Sequence, residues 1–446
     1  MNTLKSKKSI ILYGCSAIGV NLLNLFMSSY LCSALLVGGF GEVAIPFQTF
    51  KQKDLVIAGV WAVFVLIAKI VDGVVDIPMA AFTDKLKSRF GRRRPSIIMG
   101  MIPMILSFIA FTVYTPVDGV SMTNTVYYGV LLCIFYSSYT LTMVTYYATF
   151  TEIIDNEQDR TFLSNVKSVC DIVYFIIGYV AVSTLLKGIN IRIVALILLP
   201  LVLTMLIPLF MIKEKSTLGD EKLDFETVNL GKSLLYTLKN KDFIIWMLVY
   251  SFMTFGVQLF LGGINEYFSF TKMSMIFVMV AAFAPVPFTL MIYNKLIRKK
   301  GFRFAFQYVL LVFSASMLTL FGISFIPAGT LKTVLSIVSG LIASLGIGTL
   351  FAVAYSIPSQ LAADDEKCTG ISHSAMYFAV QGLFSGVATG LGAGVVLTAL
   401  KGSESSGSDA IIYLTAISAL GCLIAYALTF ILPASIKNLG KTEKQQ

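Results

Sequence analysis

The sequence predicts an all-α, polytopic membrane protein with twelve transmembrane helices arranged as two six-helix bundles. Composition is the first observation behind this prediction: 57% of the 446 residues are hydrophobic and 13% are charged, about half the charged share of a typical soluble domain. The second is a series of long apolar runs, and the third is a repeat that relates the two halves of the chain. A soluble chain of this size needs a more polar surface.

Apolar runs follow one another along the whole chain. Most reach the roughly 20 residues that a helix needs to cross a bilayer. They are continuous rather than alternating, which favours helices over the strands of a barrel. The basic N-terminal segment "MNTLKSKKSIILYG" is interpreted as a flank of the first permanent helix rather than a cleaved signal peptide. The runs cover residues 9–38, 55–83, 96–114, 124–152, 166–187, 192–213, 242–268, 271–297, 304–326, 331–363, 373–400 and 410–434.

The chain has a net charge of +10, and its basic residues are distributed as the predicted topology requires. With both termini and the even-numbered loops inside, 26 of the 34 Lys and Arg residues lie inside and 7 lie outside. This is the positive-inside bias. It predicts a multi-pass protein of the cell membrane with both termini cytoplasmic, and it explains the basic balance without a nucleic-acid partner.

Two pairs of segments recur at nearly the same offset. "DKLKSRFGRRR" begins at Asp84 and "NKLIRKKGFRF" begins at Asn294, 210 residues later. The acidic segments around Asp155 and Asp364 lie 209 residues apart. Such repeats predict two bundles in parallel orientation around a central cavity, with the solute near the bilayer midplane. The predicted organisation is an N-terminal bundle, a cytoplasmic linker and a C-terminal bundle, at residues 1–213, 214–241 and 242–446.

The second run contains three ionisable residues, Lys69, Asp72 and Asp76. Their i, i+3, i+7 spacing places them in one stripe of a helix. Each costs at least about 2.5–3.5 kcal/mol at this depth, so we expect the stripe to face a cavity or a neighbouring helix. Two carboxylates one turn apart repel each other unless they hold a proton, pair with Lys69 or bind a cation. The pattern predicts a cation-coupling site; the structural alternative is a Lys–Asp pair that only locks helices together.

A basic cluster follows that stripe. Asp84, Gly91, Arg92 and Arg93 lie at the inner end of the second run. The cluster is a topology signal. We also interpret it as a cytoplasmic gate, in which the acid and the arginines pair with the ends of neighbouring helices.

Other motifs are absent or isolated. The six cysteines have no paired spacing and predict neither disulfides nor a metal site, and the lone His373 has no partner motif. The sequence lacks the HExxH, GxSxG and Gly-rich phosphate motifs of common enzymes. A membrane-embedded enzyme is therefore the remote alternative, and no cofactor is expected.

The stretch "DGVVDIPMAAFTDKLKSRFGRRRPSII" resembles the signature of the glycoside–pentoside–hexuronide:cation symporters, the melibiose-carrier group of the major facilitator superfamily. Three further segments agree with it over nearly the full length of the chain: "YYATFTEIIDNEQDRTFLSNVKS", "SLLYTLKNKDFIIW" and "AYSIPSQLAADDEKCTGIS". The resemblance implies a major facilitator fold of two six-helix bundles. It also implies a secondary active transporter that couples H⁺ or Na⁺ to symport of a small polar solute, a sugar or glycoside.

The resemblance assigns the coupling residues one by one. Asp72 and Asp76 match the cation-binding acids of the family's second helix, and Thr140 matches a threonine near that site. Val75 stands where the melibiose carrier has an asparagine ligand. This difference favours a proton over sodium.

The solute positions depart further from the family pattern. Asn21 and Met143 stand where melibiose-type carriers have sugar-binding aspartates, and Gln381 stands where they have a lysine. Lys167 takes the place of an arginine at the start of the fifth helix. Three charged positions have become neutral, which indicates a different solute.

Further polar groups can bind that solute. Asn24 lies one turn after Asn21, and Tyr139 and Tyr147 lie in the fourth run. Amides contact hydroxyls, and aromatic faces stack on sugar rings, although such residues are also common in helix contacts. An amphiphile such as a lysolipid is the alternative cargo, which the apolar Met143 would suit. The expected partners are the solute, the coupling cation and the lipid bilayer, with the protein acting as a monomer.

Overall fold

The computed structural model describes residues 6–36, 54–153, 157–212, 214–218, 237–369, 374–401 and 409–437. The chain divides into two compact units, Met1–Val228 and Asn229–Gln446. All regular elements of the described residues are helices. The predicted domain and linker limits, including the linker at 214–241, stay a prediction.

The first unit contains six long helices. Several include short π-helical or 3₁₀ turns, and α5 continues from its first segment through Ile177–Ala181 and Val182–Leu185. The helices are α1 Lys7–Ala34, α2 Ala58–Lys85, α3 Arg93–Val113, α4 Met122–Glu152, α5 Glu157–Ile176 with its continuation, and α6 Ile191–Met211.

The second unit contains the remaining helices. α13 continues through Gly390–Val396 and Leu397–Lys401. The helices are α7 Lys241–Gly262, α8 Ile264–Thr271, α9 Met275–Phe283, α10 Val286–Lys300, α11 Phe302–Ser324, α12 Thr330–Thr369, α13 Ser374–Thr389 with its continuation, α14 Ala410–Ile431 and α15 Ala434–Lys437.

The helices of the described residues match the twelve apolar runs in order. Ten are long and apolar enough to cross a membrane. The pair α9 and α10 forms a bent span, and Val169–Leu185 is a shorter apolar segment within α5. The prediction of an all-α, multi-pass membrane protein is confirmed.

The eighth run differs from the continuous helix that its composition predicts. α9 and α10 meet at an angle of 42° across Ala284 and Pro285. Proline has no backbone N–H and fixes its own φ, so it ends the ladder of hydrogen bonds at this point. The chain therefore crosses as two short helices.

α1 is interrupted near its first third. Its opening α-helical segment ends at Cys15, and the next begins at Ile18. Side-chain hydroxyl groups donate hydrogen bonds to two backbone carbonyls at the break. Ser16 Oγ donates to the Tyr13 carbonyl at 2.7 Å, and Thr204 Oγ1 of α6 donates to the Ser16 carbonyl at 2.7 Å. Side chains thus replace helix hydrogen bonds that the break removes, and Thr204 holds the break against α6.

A buried arginine joins the ends of three helices. Arg192 at the start of α6 is 1% exposed. Its guanidinium donates to the Val113 carbonyl at the end of α3 (3.0 Å) and to Thr115 Oγ1 in the α3–α4 loop (2.9 Å). Thr115 also pairs with the Tyr128 hydroxyl of α4 at 2.6 Å.

We expect Arg192→Leu to lower the free energy of unfolding by about 2–3 kcal/mol, because it removes two hydrogen bonds from a buried charged donor. Thermal unfolding in detergent measures the change. Lys187→Leu is the matched control, since Lys187 lies in the preceding loop and is exposed. Equal melting temperatures for the two variants would contradict this role of Arg192.

Candidate functional site

The stripe on α2 faces α4. Thr140 Oγ1 of α4 donates to Asp72 Oδ1 at 2.6 Å. Lys69 Nζ lies 4.0 Å from Asp72 Oδ2 and 3.6 Å from the ring centroid of Tyr136. Tyr136 and Thr140 are four residues apart and share one face of α4. The predicted residues Lys69, Asp72 and Thr140 are therefore in contact, and Asp76, which is partly buried, lies one turn further along α2.

The charges of this acidic cluster, defined as Lys69, Asp72, Asp76 and Thr140, do not balance. One lysine stands beside two carboxylates. Lys69 and Asp72 have side chains only 13% and 28% exposed, so water screens them weakly. One more positive charge, from a proton or a cation, would neutralise the cluster.

The oxygen atoms here can hold a hard cation. They are the carboxylates of Asp72 and Asp76 and the hydroxyl of Thr140. The carbonyl of Val74 adds another acceptor, because Pro78 inside α2 has no N–H to donate to it. Among the described residues, no group of three or more His, Cys, Asp or Glu side chains forms a metal site. The donor set fits a proton or a weakly held alkali ion better than a tightly bound divalent metal.

A second polar cluster connects α1, α4 and α5. The Tyr139 hydroxyl donates to Asn21 Oδ1 at 3.1 Å, and Asn21 Nδ2 donates to Asp171 Oδ1 at 3.4 Å. Lys167 Nζ donates to the same Asp171 oxygen. We call Asn21, Tyr139, Lys167 and Asp171 the amide cluster. It brings together three of the predicted solute residues and adds Asp171.

Two further candidates lie beside the amide cluster. Lys167 Nζ is 5.6 Å from the ring centroid of Tyr147, whose side chain remains accessible. Asn24 Oδ1 is buried, with no hydrogen-bond partner among the described residues. Since an unpaired buried carbonyl oxygen is costly, Asn24 offers an acceptor for a ligand hydroxyl.

The two clusters are adjacent along α4. Tyr139 belongs to the amide cluster, and the next residue, Thr140, belongs to the acidic cluster. Successive residues of a helix rise by only about 1.5 Å. A shift of this turn of α4 therefore changes both clusters at once.

Gln381 lies in the second unit. It is buried on α13, where Trp246 Nε1 of α7 donates to its Oε1 at 3.3 Å. This contact uses the amide oxygen and holds the side chain between two helices. Its predicted role in solute binding stays a prediction.

The loop between α2 and α3 contacts the segment that follows α6. Gly91 has φ +85°, and a Cβ atom at this position would lie 2.3 Å from Glu214 Cβ. Glu214 Oε2 accepts hydrogen bonds from the backbone N–H groups of Arg93 (2.9 Å) and Arg94 (3.4 Å). A carboxylate at this position caps α3 and complements the positive end of its dipole.

A threonine completes the contact. Thr217 Oγ1 accepts from the Ser88 N–H at 2.9 Å and donates to the Leu86 carbonyl at 3.0 Å. We call Glu214 and Thr217 with residues 86–94 the loop clasp. Sequence reasoning missed both anchors, although an acid directly after the sixth run, opposite a basic loop, was a usable signal.

The predicted gate residues occupy different positions in this arrangement. Arg93 is buried, and its Nη1 donates to Thr83 Oγ1 of α2 at 3.4 Å. Arg92 is partly buried and precedes α3. The side chain of Asp84 lies outside the described residues. Gating by these residues stays a prediction.

Replacing Gly91 tests the loop clasp. We expect Gly91→Ala to lower the melting temperature and to slow transport, because the methyl group displaces Glu214 from the start of α3. Gly119→Ala is a matched control: Gly119 also has φ +85°, but a Cβ atom at that position would meet no other atom within 4 Å. Both variants share the conformational cost of about 1–2 kcal/mol, so the difference between their melting curves reports the clasp, and equal curves would contradict it.

Comparison with known proteins agrees with this architecture. Residues 12–435 match the family model described as MFS/sugar transport protein. The chain belongs to this family. It is therefore a multi-pass transporter of the major facilitator superfamily, and the predicted superfamily and fold are confirmed. A search of curated protein sequences found no significant match.

Solved structures share the fold of this MFS transporter at low identity. The nucleoside transporter NupG is 13% identical with a TM-score of 0.60, and the match covers 95% of this chain and 98% of NupG. A POT family transporter in complex with 5-aminolevulinic acid is 12% identical with a TM-score of 0.63, and the match covers 97% of each chain. At this identity the two structures show the shared fold.

Proposed function

We propose that this MFS transporter is a cation-coupled symporter of the glycoside–pentoside–hexuronide type. Its cargo is a neutral, hydroxyl-rich solute such as a sugar or glycoside. The observation that carries the proposal is the adjacency on α4, where Tyr139 holds the amide cluster and Thr140 holds Asp72. The family model, which describes sugar transport, supports the same solute class.

The acidic cluster holds the coupling ion. A proton is favoured over sodium, because Val75 supplies no side-chain oxygen and Lys69 already occupies one side of Asp72. Protonation of one acid balances the stripe. H⁺ and Na⁺ are distinguished by experiment.

The amide cluster binds the solute. The charges of Lys167 and Asp171 neutralise each other. The amide cluster therefore has no net charge, and its amide, hydroxyl and paired charged groups can bind a neutral ligand. Asn24 and Tyr147 add an acceptor and an aromatic face. Because both clusters share one turn of α4, occupancy of one changes the affinity of the other, and the coupling energy is reciprocal.

The cellular setting follows from charge and family. The transporter acts in the cell membrane with both termini cytoplasmic, as a monomer, without a cofactor and without catalysing a covalent reaction. The basic loop of the clasp then lies on the cytoplasmic side.

Uptake into proteoliposomes tests the proposal. A panel of labelled neutral glycosides and nucleosides is offered under an imposed H⁺ gradient, an Na⁺ gradient or neither. We expect accumulation of at least one hydroxyl-rich solute under one gradient only. Absence of gradient-driven uptake for the whole panel, with lysolipid uptake instead, would contradict a polar cargo.

An amphiphile such as a lysolipid is the alternative cargo. An apolar cavity of about 20 Å³ lies in the second unit among α7, α9, α11 and α12, and it is too small for an acyl chain. Its lining is apolar apart from Ser316, whose hydroxyl is bonded to Ser339 at 2.8 Å. Competition by lysolipids but not by glycosides would favour this alternative.

A further inference from the structure

Two cysteines that are far apart in sequence meet between α1 and α5. Cys15 ends the opening segment of α1, and Cys170 lies in α5, 155 residues later. Their Sγ atoms are 2.8 Å apart. Both are free thiols. The spacing of the cysteines along the chain gives no sign of this pair, because only the packing of α1 on α5 creates it.

The pair lies between the break in α1 and the amide cluster. Cys15 immediately precedes the break in α1 that Ser16 and Thr204 stabilise. Cys170 is followed directly by Asp171 of the amide cluster. A covalent bond between the sulfurs would fix the break in α1 against the turn of α5 that holds Asp171.

We propose that Cys15 and Cys170 form an oxidation-sensitive dithiol, which a membrane-permeant peroxide converts to a disulfide that joins α1 to α5. A disulfide bond is about 2.05 Å long, so the sulfurs need to approach by about 0.8 Å. Small rotations of the two side chains supply this distance. The pair is thus a modification site outside the proposed ion and solute clusters.

The chemistry balances with hydrogen peroxide as the oxidant. Cys15 is the more accessible of the two residues, being partly exposed where Cys170 is buried. Its sulfur attacks the O–O bond and becomes a sulfenic acid, and one water leaves. The Cys170 sulfur then attacks the sulfenic sulfur and expels a second water. Two thiols and one peroxide therefore yield one disulfide and two waters, and a dithiol reductant reverses the step.

The effect on transport rests on the proposed function. Asn21 of α1 donates a hydrogen bond to Asp171 of α5 in the amide cluster. A tether beside them restricts the relative movement of α1 and α5 that loading and release of a solute require. We expect the oxidised protein to lose most of its gradient-driven uptake and to recover it on reduction.

The bond itself is tested without any transport assay. The purified full-length protein is treated with hydrogen peroxide, its remaining thiols are alkylated, and peptides are identified by mass spectrometry. We expect a linked peptide pair containing Cys15 and Cys170, which disappears in Cys15→Ser and in Cys170→Ser. Cys133→Ser is the matched control, because Cys133 is a partly exposed thiol of α4, and it should retain the link. Free, alkylated Cys15 and Cys170 after oxidation of the folded wild type would overturn the proposal.

Uptake measurements then test the switch. Peroxide should lower uptake in the wild type and in Cys133→Ser, and dithiothreitol should restore it. Cys15→Ser and Cys170→Ser should resist the same treatment. If the linked peptide forms while uptake is unchanged, the switch is wrong and the disulfide stands. If no solute is transported at all, the peptide result still decides the bond, so failure of the proposed function is distinguishable.

Discussion

Asp72→Asn is expected to abolish accumulation of solute against its gradient while preserving equilibrative exchange. The amide is nearly isosteric with the carboxylate, and its oxygen still accepts the bond from Thr140. It cannot, however, gain or lose a proton or balance a cation. Moving one charge through 100 mV supplies about 2.3 kcal/mol, which corresponds to about 50-fold accumulation.

Proteoliposomes separate the two activities. Accumulation under an imposed gradient should fall by about 50-fold to no net accumulation, whereas exchange of internal for external labelled solute should persist. Asp118→Asn is the matched control, because Asp118 is exposed in the α3–α4 loop. If Asp72→Asn and Asp76→Asn both accumulate solute normally, the acidic cluster does not couple the ion.

Thr140→Val is expected to have a smaller effect on ion coupling than Asp72→Asn. It removes the hydrogen bond to Asp72 but leaves both carboxylates in place. We expect weaker ion dependence rather than its loss. The melting temperatures of Asp72→Asn and Asp76→Asn are measured as well, so that loss of transport through unfolding is distinguished from loss of coupling.

Lys167→Met is expected to have the second-largest effect. It leaves the carboxylate of Asp171 without its cation in a partly buried setting. Loss of one partner of a fully buried pair costs about 3–5 kcal/mol, and the cost is smaller here because the Asp171 side chain is 38% exposed and screened by water. We therefore expect a fall in melting temperature and loss of solute binding.

A double variant separates stability from recognition. Lys167→Met with Asp171→Asn removes the pair together, so most of the stability should return. Solute affinity should stay low, because the amide cluster has lost the Lys167 donor and the charged acceptor of Asn21 Nδ2. Recovery of both stability and uptake in the double variant would show that the pair is only structural.

Much of the fold was predictable because membrane helices obey a simple physical rule. Each crossing must satisfy its own backbone hydrogen bonds and expose apolar side chains to lipid, so the runs show directly in the sequence. The break at Pro285 was harder to place, since composition alone does not show whether neighbours will re-satisfy the backbone around a proline. Pro78 is the counterexample, because α2 continues through it to Lys85.

The candidate site was predictable only in part. The stripe of Lys69, Asp72 and Asp76 follows from helical periodicity, and Thr140 came from family resemblance. The pairing of Lys167 with Asp171 also follows from their spacing of four residues. The contact of Tyr136 with Lys69 and the hydrogen bond from Asn21 to Asp171 depend instead on how the helices pack, and local spacing contains no information about that packing.

The loop clasp and the pair of Cys15 and Cys170 could not be predicted from local spacing either. Glu214 meets the start of α3 across 121 residues of chain, and Cys170 meets Cys15 across 155. For Glu214 the only signal in the sequence was an acid opposite a basic loop, and for the two cysteines the sequence carries none. Their chemistry is recognisable only after the helices are placed.

The succession of Tyr139 and Thr140 on α4 restricts how this protein can be re-engineered. If variants are selected for transport of a new solute and must keep their coupling to the ion gradient, replacements should accumulate at Asn21 or Asn24 on α1. Tyr139 should remain unchanged. Evolved variants that replace Tyr139 and still transport the same number of ions per solute would show that the solute site and the ion site on α4 are independent.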